Sequence, residues 1–292
     1  MSRQSIRSTD QTRSEGLDKF YTIVPVSKKC ISTVSTIYLW DSWDLIIEPS
    51  AGNGNFFTNI PVQPSRKIGI DISPEHVDII KGDFLEYNPP PGKILVIGNP
   101  PFGKNSSLAV KFFNHAALWS QTIAFIVPRT FRRESIQNRL NLGFKLILDE
   151  DISSTPCSFN PPMSAKCCFQ VWERTIEDAR TIVNLATTHA DWEFLPFGPI
   201  DSRNQPTPPL GADFAIRAYG GKCGEIRTAN LHLLRPKSWH WIRCPDKETL
   251  MERFGRLDYS SSMNTARQNS MGRGELVKLY AVSCRPQASP AP

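Results

Sequence analysis

The sequence predicts a doubly wound α/β fold built on a mostly parallel sheet, with a small basic appendage at its C-terminal end. Three observations predict it. Apolar runs of strand length recur between turn residues, and the small-residue turn Pro49-Ser50-Ala51-Gly52-Asn53-Gly54 directly follows one of them. Polar groups that can hold a ligand, Glu48, Asp71 and Asn99, stand at the ends of such runs, where open parallel sheets gather their ligand-binding residues. At 292 residues the chain can bury a substantial core.

In chain order, residues 43–48 read as a buried strand, and the turn after it leads towards a helix, the strand-turn-helix unit of a doubly wound sheet. The dinucleotide pattern would need a third glycine where this chain has Phe57, so the turn is a poor NAD site. Glycines at 52 and 54 let a ligand approach the main chain, and Glu48 can meet a cationic amino group. Residues 67–71 form the next strand and end on Asp71, placed to grip ribose hydroxyls. Gly82-Asp83-Phe84 follows, an acid that can accept from an adenine amino group beside a ring that can stack on it. Residues 93–97 are a further strand that delivers Asn99. Beyond it the alternation continues with a helix at 107–119, a strand at 122–127, a helix at 129–140, a strand at 144–148 and a closing strand at 165–173.

The run Asn99-Pro100-Pro101-Phe102 carries the chemistry. An amino group conjugated to a ring attacks poorly until acceptors draw its N–H groups out of plane. The Asn99 side-chain oxygen and the Pro100 carbonyl are candidates for those acceptors. Pro101 stiffens the turn with Pro100, and Phe102 offers a flat apolar face for a planar substrate such as an extruded base. The spacing Gly98-x4-Gly103-Lys104 is a near miss to a phosphate-binding loop. Its two prolines lack the N–H donors such a cradle consists of.

Together Glu48-Pro-Ser-Ala-Gly-Asn-Gly-Asn-Phe56, Asp71, Asp83-Phe84 and Asn99-Pro-Pro-Phe102, preceded by Asp18-Lys-Phe-Tyr-Thr22, resemble the S-adenosylmethionine (AdoMet)-dependent amino methyltransferases, and the adenine-N6 DNA enzymes in particular, in a gamma-like motif order. The resemblance implies a Rossmann-like catalytic core over 18–175 with AdoMet as cofactor. It implies a cofactor site of Tyr21, Thr22, Glu48, Ala51, Gly52, Gly54, Phe56, Asp71, Asp83 and Phe84, with Asn99, Pro100, Pro101 and Phe102 at the target. Asn-Pro-Pro-aromatic also occurs in enzymes that methylate protein glutamine or ribosomal guanine. The same chemistry on RNA adenine and a catalytically silent nucleic-acid-binding subunit are further alternatives.

Residues 1–17 are polar and expected to be flexible, 176–285 form the basic region where target recognition is expected, and 286–292 a tail. Residues 201–292 hold 14 Lys and Arg against 8 Asp and Glu, which accounts for the whole net charge of +6. Arg217, Lys222 and Arg227, interleaved with aromatics, and Arg129 after the 122–127 strand are candidate nucleic-acid contacts, with DNA favoured over RNA. The Ser- and Asn-rich stretch 260–274 reads as a mobile loop. Cys223, His232, His240 and Cys244 lack close Cys pairs, so no metal is expected. Seven cysteines without repeated spacing suit a reducing compartment. With no apolar run long enough for a leader or a membrane span, the expectation is an intracellular protein, cytoplasmic or nuclear.

Overall fold

The computed structural model describes residues 19–283. The expectations for 1–17 and 286–292 lie outside the described residues. The chain divides into two compact units between residues 182 and 183.

In the first unit, β1 (Tyr21–Thr22) precedes α1 (Val24–Ile37), whose first turn carries a proline that needs no helical N–H partner. Then come β2 (Leu45–Glu48), β3 (Lys67–Asp71), β4 (Ile79–Lys81), β5 (Ile94–Gly98), α2 (Ser107–Ala116), β6 (Thr122–Pro128), α3 (Glu134–Gln137), β7 (Phe144–Ile152), β8 (Phe159–Asn160) and β9 (Cys167–Arg174). Seven of these strands form one sheet in the order β4-β3-β2-β5-β6-β9-β7. All neighbours from β4 to β6 pair in parallel, and β9 runs antiparallel to both β6 and β7. The fold is the predicted Rossmann-like α/β fold.

Alternation in the central strands explains why both faces are covered. In β5, Ile94 and Val96 enter one apolar cluster with Phe112 and Phe113 of α2, while Leu95 and Ile97 enter the other with Ile31 and Val34 of α1. Strands buried on both sides read as continuous apolar runs, and burial of each such side chain stabilises the fold by about 1.5–3 kcal/mol.

Two predicted helices are not formed. After the glycine turn there is only a single 3-10 turn, Phe57–Asn59, because Pro61 and Pro64 leave too few residues for a longer helix. The stretch 129–140 splits into a 3-10 turn, Arg129–Arg132, and the one-turn α3, with Arg133 extended between them. Arg132 makes a bidentate ion pair with Asp149 and a second pair with Asp151, and Arg129 pairs with Asp151 at 2.8 Å, which ties this segment to β7.

The second unit is an antiparallel sheet, in spatial order β10 (Glu193–Phe194), β13 (Trp239–Arg243), β11 (Phe214–Arg217) and β12 (Ile226–Arg227), with α4 (Lys247–Gly255) and α5 (Arg273–Ser283). Phe214, Ile216 and Ile242 pack with Phe254 of α4 and Tyr280 of α5, while Ala215, Trp239 and Trp241 bury the other face with Leu195. The stretch expected to be a mobile loop is tied down in part. Met271 N–H donates to the Ala218 carbonyl and Gly220 N–H to that of Asn269, each at 2.9 Å. Among the described residues no helix is long and apolar enough to cross a membrane.

Candidate active site

The sheet order reverses between β2 and β5, which run side by side but are followed by chain leaving in opposite directions. A doubly wound sheet opens its ligand crevice outside the carboxyl ends of such a pair. The loop 49–54 leaves β2 at that point and Asn99–Phe102 leaves β5. Ser50 Oγ donates to the Asn99 carbonyl at 2.9 Å and joins the two loops.

The glycine turn is held from beneath. Glu48 is 3% exposed and its Oε2 accepts from Phe57 N–H at 2.7 Å; burial pushes its carboxyl well above the usual range. Glu48, expected to meet a cationic amino group, has one carboxylate oxygen engaged by the turn in this structure. Ala51 is buried against Phe57 and Ile79. Gly52 and Gly54 have φ of +47° and +83°, a backbone region that favours glycine. A Cβ on Gly52 would lie 2.5 Å from Tyr21 Cε1, so the Tyr21 ring rests directly on the turn.

Asp71 ends β3, as expected, and its two oxygens accept from Gly52 N–H at 2.8 Å and Ser73 N–H at 2.7 Å. Each carboxylate oxygen keeps capacity for a further donor. Asp83 is exposed and caps the next turn through Leu85 N–H at 2.9 Å. Phe56 and Phe84 are 2% and 1% exposed. Phe56 packs in the cluster beneath α1 and Phe84 stacks on Phe112, so both are core rings and neither presents a face to the crevice. Residue type alone does not separate a stacking ring from a core ring. Ile72, next to Asp71, is 51% exposed.

At the other lip, Asn99 Nδ2 donates to the Phe20 main-chain carbonyl at 3.1 Å, while Asn99 Oδ1 is buried without a hydrogen-bond partner. Thr22 Oγ1, two residues along from Phe20, is also buried and unpartnered. Such atoms are rare and costly, about 1–3 kcal/mol each, and a ligand that donates to them would remove that cost. Pro100 is buried, Pro101 half-buried, and the half-buried Phe102 packs against both apolar clusters. Beyond it Gly103, Asn105 and Ser106 all have positive φ, and Ser106 Oγ lies 2.7 Å from Thr130 Oγ1. Asn105 and Ser106 are thus two consecutive non-glycine residues in the left-handed region.

Three of the four remaining candidates are engaged in ion pairs. Arg129 is engaged by Asp151. In the second unit Arg217 pairs with Glu225 at 3.0 Å and lies over Trp239, and Arg227 pairs with the same Glu225 at 2.7 Å; Lys222 is exposed. Phe20 belongs to the segment quoted from the sequence, but its contact with Asn99 runs through its main-chain carbonyl, which no side-chain motif announces.

No family model and no curated protein matches this sequence. Solved structures that resemble it include a candidate RNA methyltransferase from Pyrococcus horikoshii, at 16% identity and TM-score 0.43 over 55% of this chain and 89% of that one. The 23S rRNA methyltransferase ErmE is similar at 17% identity and TM-score 0.39, over 58% of this chain and 74% of its own. A dimethyladenosine transferase from Plasmodium falciparum is similar at 16% identity and TM-score 0.37, over 53% and 63%. At these scores the fold assignment rests on sheet order and strand direction.

Proposed function

We propose that this chain is an AdoMet-dependent methyltransferase acting on the exocyclic N6 amino group of adenine in nucleic acid, DNA first. The observation that carries the reading is the Asn99 amide, fixed by its Nδ2 donor bond to Phe20, with Oδ1 left as a buried acceptor beside Pro100. An adenine amino group is a donor of the right kind to satisfy that oxygen. Withdrawal of its N–H groups from the ring plane returns electron density to nitrogen, and Phe102 is the adjacent ring for the base to stack on.

The residues present fit the cofactor. Asp71 has acceptor capacity for ribose hydroxyls, the exposed Asp83 can accept from an adenine amine, the exposed Ile72 next to Asp71 offers an apolar contact, and Thr22 supplies an orphaned hydroxyl. AdoMet, when bound, supplies a methyl group on a sulfonium that leaves as a neutral thioether, so this chain needs no strong base and contributes positioning and electrostatics. The second unit, with its basic excess, serves target binding, and the first holds cofactor and chemistry.

RNA adenine is the second reading, because it presents the same exocyclic amino group to the Asn99 Oδ1 acceptor. Incubation with labelled AdoMet and either duplex DNA or total RNA, followed by digestion to nucleosides, tests both. N6-methyldeoxyadenosine is the expected product. N6-methyladenosine would transfer the same chemistry to RNA, and a methylated glutamine or guanine would overturn the adenine assignment.

A further inference from the structure

Residues 19–22 form a strap that touches both lips of the crevice. On one side Tyr21 lies on Gly52 and its hydroxyl donates to Glu75 Oε1; Lys19 reaches Ser73 Oγ at 3.3 Å and Glu75 at 3.8 Å; and Glu75 N–H donates to the Gly52 carbonyl at 2.9 Å. On the other side the Phe20 carbonyl accepts from Asn99 Nδ2. The Phe20 carbonyl and the Tyr21 N–H belong to one planar peptide group, so a shift of the Tyr21 main chain carries that carbonyl with it. The rest of the strap is held by packing of the Phe20 side chain on the apolar cluster beneath α1, by the Ile23 N–H, which donates to the Ser158 carbonyl at 3.1 Å, and by short strand pairing. Its strand β1 is two residues long and pairs only with the two-residue β8, while Asn55 Nδ2 donates to the Thr22 carbonyl at 2.7 Å.

We propose that Glu75 is a positioning residue for methyl transfer. By latching the Tyr21 hydroxyl it clamps the Phe20–Tyr21 peptide, whose carbonyl orients the Asn99 amide and leaves Oδ1 aimed as the acceptor. This inference rests on the reading of Asn99 as the group that receives the target amine. Glu75 lies outside every motif in the sequence, and its side chain touches neither Asn99 nor the Asn99–Phe102 turn through any hydrogen bond of its own. A loose Asn99 rotates about its side-chain torsions, and misplacement by a fraction of an ångström lowers rate without removing either binding site.

The test uses the full chain and two readouts. In nitrogen-15 spectra the Asn99 side-chain amide pair is assigned by its loss in Asn99→Ala. In Glu75→Ala and Tyr21→Phe that pair moves or broadens, while in Glu75→Gln, which keeps an acceptor for the Tyr21 hydroxyl, it stays in place. In turnover at saturating AdoMet, Glu75→Ala and Tyr21→Phe lower kcat by about tenfold, the double variant falls no further than either alone, and Glu75→Gln stays within about twofold of the parent. Binding of S-adenosylhomocysteine by Glu75→Ala changes far less than kcat. An Asn99 amide pair that is unmoved in a folded Glu75→Ala protein overturns the proposal, as does a loss that lies wholly in cofactor affinity. If the pair responds as described but the parent transfers no methyl group, the linkage stands and the proposed function fails.

Discussion

Asn99 Nδ2 donates to the Phe20 carbonyl at 3.1 Å, and that single bond decides which end of the Asn99 amide is left free. Replacement by alanine removes the acceptor while leaving the glycine turn and Asp71 in place. Asn99→Ala is expected to lower kcat by about 100- to 1,000-fold with S-adenosylhomocysteine affinity retained. Near-normal turnover by a folded Asn99→Ala protein would remove Asn99 from the chemistry.

The Tyr21 ring makes Gly52 intolerant of a side chain for two separate reasons. The backbone stands at φ +47°, where alanine costs about 1–2 kcal/mol, and the new Cβ would collide with Tyr21. Gly52→Ala therefore lowers stability in urea and weakens S-adenosylhomocysteine binding. In a Tyr21→Ala background the stability loss shrinks to its backbone part, and an unchanged loss there would show that the ring is not the obstacle.

Glu48 gives the first unit a pH dependence of stability. Burial raises its folded pKa, so the folded protein holds a proton that the unfolded chain releases near the ordinary carboxyl value of about 4.3. Between that value and the raised folded pKa the native state binds more protons, and stability falls as pH rises. Glu48→Gln keeps an acceptor for Phe57 N–H and removes the titration. Urea unfolding from pH 4 to 8 is expected to show the variant gaining on the parent as pH rises. Parallel curves would contradict this.

Asp149 joins β7 to the segment after β6. It accepts from Arg132 through Nε at 2.9 Å and from Gln170 Nε2 at 3.0 Å, and Gln170 Oε1 in turn accepts from Trp172 Nε1. Asp149→Ala leaves a half-buried guanidinium short of a partner and is expected to cost about 3 kcal/mol in equilibrium unfolding. The double change Arg132→Met with Asp149→Leu recovers part of that cost, because it removes the stranded charge as well. No recovery would mean that packing, and not the charge, sets the loss.

The basic residues of the second unit divide by their partners. Lys222 is exposed, whereas Arg217 is committed to Glu225 and Trp239. For nucleic-acid binding, Lys222→Gln should weaken affinity uniformly across sequences and reduce the salt slope by about one. Arg217→Gln should act mainly through stability. Measured salt slopes that are equal for the two would reverse this ranking.

The parallel sheet was legible because β5 and β6 are buried on both faces, so Ile94–Gly98 and Thr122–Pro128 stand out as unbroken apolar runs. Asp71 and Asn99 were legible as polar residues ending such runs. The missing helix after Gly54 was hidden because a glycine turn carries the same signature whether a helix or one 3-10 turn follows, and Pro61 decides between them. Phe84 was read as a ring able to stack on a ligand and is instead covered by Phe112 of α2, since burial depends on packing that the local sequence does not encode. The Phe20–Asn99 bond joins residues 79 apart through a main-chain atom, which no local pattern encodes. The second unit's sheet includes strands of only two residues, too short for periodicity to register.

The most direct test of the central claim is transfer of labelled methyl from AdoMet to adenine in duplex DNA and in RNA, with Asn99→Ala run beside the parent. The account predicts N6-methylated adenine from the parent and, from the variant, near-complete loss of product with cofactor still bound. Undiminished product from Asn99→Ala, or no adenine methylation by a parent protein that binds AdoMet, would contradict it.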